Sequence, residues 1–177
     1  DAWRLGAVGQ GWQVSLTTLM NERLAIGGGG PGADVALAMQ IAKTVHIKGR
    51  PAIADGSVRA KIAGYHVLEA GLKYNNYRAL SALSRGELPG PENSIGKLVG
   101  APKLQSIASF CMDLLENYGA VWDDEHGLYD GLAQRSYMGA PGLRIAGGTD
   151  EIMTNIIAER VLGLPQDPRA DKGIPFN

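Results

Sequence analysis

Only one cysteine, Cys111, stands among the 177 residues, which excludes an internal disulfide and suits a reducing, cytoplasmic setting. Its apolar neighbours Ile107, Ala108, Phe110 and Leu114 mark it as a packing residue. An excess of charge of either sign is also missing. The chain has 17 basic and 18 acidic residues and a net charge of −1, so neither a nucleic-acid footprint nor attraction to an acidic membrane is expected. Long apolar runs are absent. The longest stretch without Lys, Arg or Glu, Leu24 to Ala42, is broken by glycines, Pro31 and Asp34, so no membrane helix is expected there. The first residues carry Asp1 and Arg4 and lack the apolar core of a signal peptide, and an opening on Asp1 suits a fragment or a processed product.

Several chemistries are missing too. His46, His66 and His126 are scattered without zinc spacing and read as solvated or packed residues. Asp123, Asp124, Glu125 and His126 are adjacent on an irregular stretch, where side chains rarely converge on one metal ion. There is no nucleophile elbow for Ser-His-Asp catalysis and no Gly-x-Gly-x-x-Gly after a strand. Strand-type alternation is nearly absent as well.

Helical periodicity fills that space. A first helix is expected over about 12–26, with Trp12, Leu16, Leu19, Arg23 and Ile26 on one face. Gly27–Gly32, with Pro31 inside, ends it sharply. A second helix follows over about 33–47, carrying Val35, Leu37, Ala38, Ile41, Ala42 and Val45. After the Gly49-Arg50-Pro51 turn, a long helix over about 55–83 places Val58, Ile62, Tyr65, Leu68, Leu72, Ala79 and Leu83 together. Another is expected over about 94–118, with a kink at Pro102, then a short one over about 131–137 and a last one opening at Thr149. The fold class is therefore all-α, an up-and-down four-helix bundle-like domain. Residues 1–10 read as the tail of a preceding element, 11–164 as the helical domain, and 165–177, with three prolines, as an extended tail.

The most informative segment is Arg144–Leu164. Gly147 and Gly148 allow close backbone approach, Thr149 is placed to cap a helix, and Asp150 and Glu151 put negative charge at its positive end. Ile152, Ile156, Ile157 and Val161 follow at helical spacing and are expected to form one buried face. By chemistry alone this is a capped helix after a glycine turn. Its wording, Gly-Gly-Thr-Asp-Glu-Ile-Met-x-Asn-Ile-Ile-Ala-Glu-Arg-Val-Leu-Gly, resembles the C-terminal signature of the acyl-CoA dehydrogenase family. Gly11-Trp12-Gln13-Val14 followed by Leu19-Met20-Asn21-Glu22-Arg23 resembles the passage from that family's central β-domain into its C-terminal helical domain.

The resemblance implies a full-length flavoprotein oxidoreductase, of which this chain covers about the last two-fifths, and a fragment that is inactive alone. In the family reaction a carboxylate takes the α-proton of an acyl-CoA thioester while hydride leaves Cβ for N5 of FAD. In many members the carboxylate precedes Gly-Thr in the signature; here that place is Gly147, which has no side chain. Another set of members uses a glutamate just before an arginine on the domain's first helix, and Glu22-Arg23 matches that pattern. Glu22 flanks the apolar stripe, where a carboxylate is partly desolvated, as a base requires; read without the resemblance, it is an ion-pairing residue at a helix edge. By the same carry-over, Arg23 holds the helix or acyl-CoA, and Gly148, Thr149 and Glu151 face the flavin.

Two departures stand against the family pattern. Val45-His46-Ile47-Lys48-Gly49 replaces an Arg-x-x-Phe-Gly whose arginine reaches FAD across a subunit interface; Lys48 or Arg50 could supply charge there without the planar fork. Asn117-Tyr118-Gly119-Ala120 and the acidic stretch replace a Gln-x-x-Gly-Gly-x-Gly clasp on the partner's FAD. The implied partners are acyl-CoA, an electron-transfer-flavoprotein-like acceptor, and further subunits in a homo- or hetero-oligomer (dimer or tetramer). The alternative reading is a non-catalytic oligomerising subunit of a hetero-oligomeric acyl-CoA dehydrogenase.

Overall fold

A computed structural model of the chain describes residues 3–27, 32–87, 90–91, 93–122 and 126–168. These form six α-helices: α1 (Gly11–Gly27), α2 (Val35–Thr44), α3 (Gly56–Ser84), α4 (Asn93–Leu115), α5 (Leu132–Ile145) and α6 (Asp150–Ile156). The fold is all-α, as expected. Its one small sheet among the described residues is a hairpin of β1 (His46–Ile47) and β2 (Arg50–Pro51), paired antiparallel. Lys48 and Gly49 form the hairpin tip with φ of 51° and 77°. This two-residue tip ends α2 at Thr44, three residues short of the sequence expectation.

Local chemistry explains the helix starts. Asp34 caps α2 by accepting the Leu37 N–H at 2.8 Å. Asp55 caps α3 by accepting the N–H groups of Ser57 and Val58, and the Ser57 hydroxyl, first among several hydrogen bonds, holds its carboxyl below the usual range. Thr149 caps α6 through the Ile152 N–H at 3.4 Å.

Helix α4 is the central element, packed against α1, α2, α3, α5 and α6. Its buried Ile107, Ala108, Phe110, Cys111, Leu114 and Leu115 meet Val35, Leu37, Ala38, Ile41 and Ala42 of α2 and Val58 and Ile62 of α3. Pro102 lies inside α4, which runs on through it. At that end of the core Gly32 is the tightest point: a Cβ there would lie 2.9 Å from Leu104 Cδ1.

The structure corrects further expectations. Ile152 and Val161, expected on a buried face of the last helix, are exposed, and Met153 is the buried residue of α6, because only that side of the helix is turned to its neighbours. The short helix over 131–137 is α5, which continues to Ile145 through Gly139, Pro141 and Gly142. Burial of Ala133, Gln134, Ser136 and Ala140 against its neighbours outweighs those helix breakers. Trp12, placed on the apolar face of α1, is 73% exposed. Leu68 and Leu83, placed on the core face of α3, are also exposed, because the core covers α3 chiefly near its start. The glycine break at 28–31, the acidic residues 123–125 and the tail from 169 lie outside the described residues.

Candidate functional site

The Gly-Gly turn joins α5 to α6. Gly147 is buried with φ of 68°, and Gly148 has φ of 107°, both left-handed conformations that a residue with a Cβ rarely adopts. Gly148 and Thr149 are half-buried and Glu151 is exposed. Glu151 is held below the usual carboxylate range by its own backbone N–H first and by the Thr149 hydroxyl second. Thr149 thus accepts from the Ile152 N–H, and its hydroxyl beside Glu151 helps keep that carboxyl low.

Behind the turn lies a buried cation that is absent from the expected site residues. Lys97 is completely buried. Its Nζ donates to the Arg144 carbonyl at 2.9 Å and to the Gly148 carbonyl at 2.5 Å, and it lies 3.6 Å from Asp150 Oδ1. The Arg144 Nε donates to Asp150 Oδ2 at 2.7 Å, and its NH1 donates to Gln105 Oε1 at 3.2 Å. The signal was present in the pattern. Lys97, Ala101, Leu104, Ala108, Cys111 and Leu115 alternate by four and three residues, so the lysine sits on the core stripe of α4.

Glu22 comes from the opposite end of the chain. It lies in α1 and is half-buried. Ser15, Thr17 and Thr18 of the same helix donate their hydroxyls to carbonyls four residues earlier, and Asn21 Nδ2 donates to the Thr17 carbonyl at 3.0 Å. The backbone of Arg23 belongs to α1, but its side chain lies outside the described residues. Gly148, Thr149 and Glu151 are together by sequence adjacency, and Glu22 is related to them through α4, on which both α1 and α6 pack.

An open cleft of about 500 Å³ runs beside this region, lined in part by Lys61, Tyr65, Gln105, Asp113, Tyr137 and Arg144. Burial pushes the Cys111 thiol up to about 12, which keeps it protonated and inert near neutral pH. Among the described residues no group of three His, Cys, Asp or Glu side chains is placed to hold a metal ion, and no helix is long and apolar enough to cross a membrane.

Residues 9–162 match the family model described as acyl-CoA dehydrogenase, C-terminal domain. The chain is 30% identical over 166 residues to acyl-CoA dehydrogenase FadE34 of Mycobacterium tuberculosis, a match covering 94% of this chain and 21% of that protein. It is 33% identical over 168 residues to acyl-CoA dehydrogenase IpdE1 of the same organism, covering 93% of this chain and 41% of that one. The chain thus spans well under half the length of the curated relatives it matches. Among solved structures, the ChsE4–ChsE5 complex from Mycobacterium tuberculosis superposes with a TM-score of 0.74 at 25% identity, covering 93% of this chain and 43% of that chain. The helix order, the glycine turn with its capped helix and these likenesses together place the chain in the acyl-CoA dehydrogenase family, as its C-terminal helical domain.

Proposed function

We propose that this domain serves a flavin-dependent acyl-CoA dehydrogenase that removes hydrogen from the α and β carbons of an acyl-CoA thioester, with Glu22 as the general base. The observation that carries the reading is Gly147. A buried glycine in a left-handed turn stands where the resemblance puts the common base, so no side chain there can take a proton. Glu22, half-buried on a helix that shares α4 with the turn, is the carboxylate that matches the family's other base position.

The residues fit FAD at one place and not at another. Two consecutive glycines in left-handed conformations leave the turn without Cβ atoms, which suits close approach of a flat ring edge at Gly148 and Thr149. Glu151, kept ionised by its hydrogen bonds, suits an uncharged ring edge and would repel a pyrophosphate. FAD, when bound, would accept the hydride from Cβ. Glu22 would take the α-proton, and a site closed from water would strengthen every polar contact to the thioester. Arg23 would orient the helix or the acyl-CoA. In the complete protein the central β-domain would supply the rest of the site, and an electron-transfer-flavoprotein-like acceptor would reoxidise the flavin. The free Cys111 suits a cytoplasmic setting.

One observation favours a second reading. Where the family carries Arg-x-x-Phe-Gly, this chain has a tight hairpin with Lys48 at its tip, which offers a point charge and no planar fork. On that reading the domain belongs to the non-catalytic half of an unequal pair of subunits. Purification of the full-length protein separates the two. Bound flavin whose absorbance bleaches on adding acyl-CoA supports the first; colourless protein that gains activity only with a second subunit supports the other.

A further inference from the structure

Given the reading that the Gly147–Thr149 turn meets the flavin, we propose that Lys97 is a positioning residue: its buried ammonium fixes the shape of that turn and so sets the flavin's seat.

The geometry is that of a three-way clamp. An ammonium has three protons, and Lys97 faces three oxygens drawn from three successive segments: the Arg144 carbonyl in the last turn of α5, the Gly148 carbonyl in the turn, and Asp150 Oδ1 in the first turn of α6. The Arg144 carbonyl is one of those a helix end leaves without an intrahelical partner, and a cation there also suits the helix dipole. Asp150 closes the circuit, because its other oxygen accepts from the Arg144 side chain. Asp150 Oδ1 itself is buried and lies beyond hydrogen-bond reach of any described donor, so its closest compensation is the Lys97 charge. Every residue from 145 to 149 is therefore bracketed by groups tied to one ammonium.

Burial of a charged amine in a core is costly unless its partners are well placed, and a methionine would fill similar space without that cost. What a methionine lacks is the ability to draw two backbone carbonyls inward. With the Gly148 carbonyl turned toward Lys97, the opposite side of the same peptide is left to face away from α4. An arginine could keep the charge, but its flat fork does not match two divergent carbonyls and a carboxylate on a third side.

The test uses the full-length protein with Lys97→Met, Lys97→Arg and Asp150→Asn. The readouts are FAD affinity of the apoprotein by fluorescence titration, the shape of the visible flavin band, and thermal melting. The expected result for Lys97→Met is a rise of about 10- to 100-fold in the FAD dissociation constant with a changed flavin band, as displaced positioning groups give. Lys97→Arg should recover melting temperature more than flavin affinity, a split that a merely structural role would not produce. Asp150→Asn keeps both carbonyl bonds and should weaken FAD binding by about threefold; it decides the matter with Lys97→Arg where Lys97→Met does not fold. Variants that melt lower yet bind FAD with wild-type affinity and an unchanged band would overturn the proposal alone. Wild-type protein that takes up no FAD would remove the reading on which it rests, and the proposal with it.

Discussion

The glycine turn and the first helix are held in opposite ways. The turn is tied by contacts between residues 47 and 51 positions apart, Lys97 to Arg144 and Lys97 to Gly148. In α1 the described side-chain hydrogen bonds of Ser15, Thr17, Thr18 and Asn21 all return to the helix's own backbone four residues earlier. Local bonds of that kind stabilise a helix without telling it where to sit, and packing against α4 must do so. The turn is thus fixed by directed polar contacts, and α1 by its contact along α4. The difference teaches that two regions sharing one helical wall are ordered by different physics, one by long-range polar bonds and one by packing.

Breaking the shared support should affect both regions at once. Ile107 of α4 is fully buried, and Ile107→Ala should cost about 2–5 kcal/mol in a denaturant melt of the full-length protein. Loss confined to one region would show that α4 is not their common wall. A second effect comes with pH. The Cys111 thiol has its ordinary value of 9.0 raised to about 12 by burial first, with Asp34 adding to it. A raised folded-state value means that the stabilisation is complete below pH 9 and is lost as pH climbs toward 12, because only the unfolded chain ionises early. Cys111→Ala should flatten that alkaline slope, and the native thiol should resist disulfide reagents at pH 8.

Smaller changes sharpen the contrast. Thr149→Ala removes the cap of α6 and should cost about 1 kcal/mol, read as a shift in denaturant midpoint. Thr18→Ala removes a back-bond within α1 and should change stability by less than about 0.5 kcal/mol. Equal effects would mean that the turn's cap is no more connected to the fold than a surface hydroxyl.

Helix existence was legible because periodicity and caps act locally: α3 was expected over 55–83 and spans Gly56–Ser84, and Thr149 caps as its chemistry suggests. Exposure was less legible. Periodicity shows that Leu68 and Leu83 share a face with Val58 and Ile62, but only packing decides how far along α3 that face is covered. Pro141 and Gly142 read as helix breakers, yet α5 continues through them because contact with α4 supports it. The turn's glycines and cap were visible in the candidate site. Lys97 stands on the core stripe of α4, but its task is not legible there, since the two carbonyls and the Asp150 carboxylate that receive it, more than forty residues away, are brought to it only by folding.

The central claim is that the turn holds and Glu22 reacts. Its most direct test is the rate at which flavin absorbance bleaches when full-length protein, wild type or Glu22→Gln, is mixed without oxygen with a panel of acyl-CoA thioesters. The account predicts bleaching slowed by about 10²–10⁴-fold in the variant with flavin content unchanged. Bleaching at the wild-type rate would contradict it.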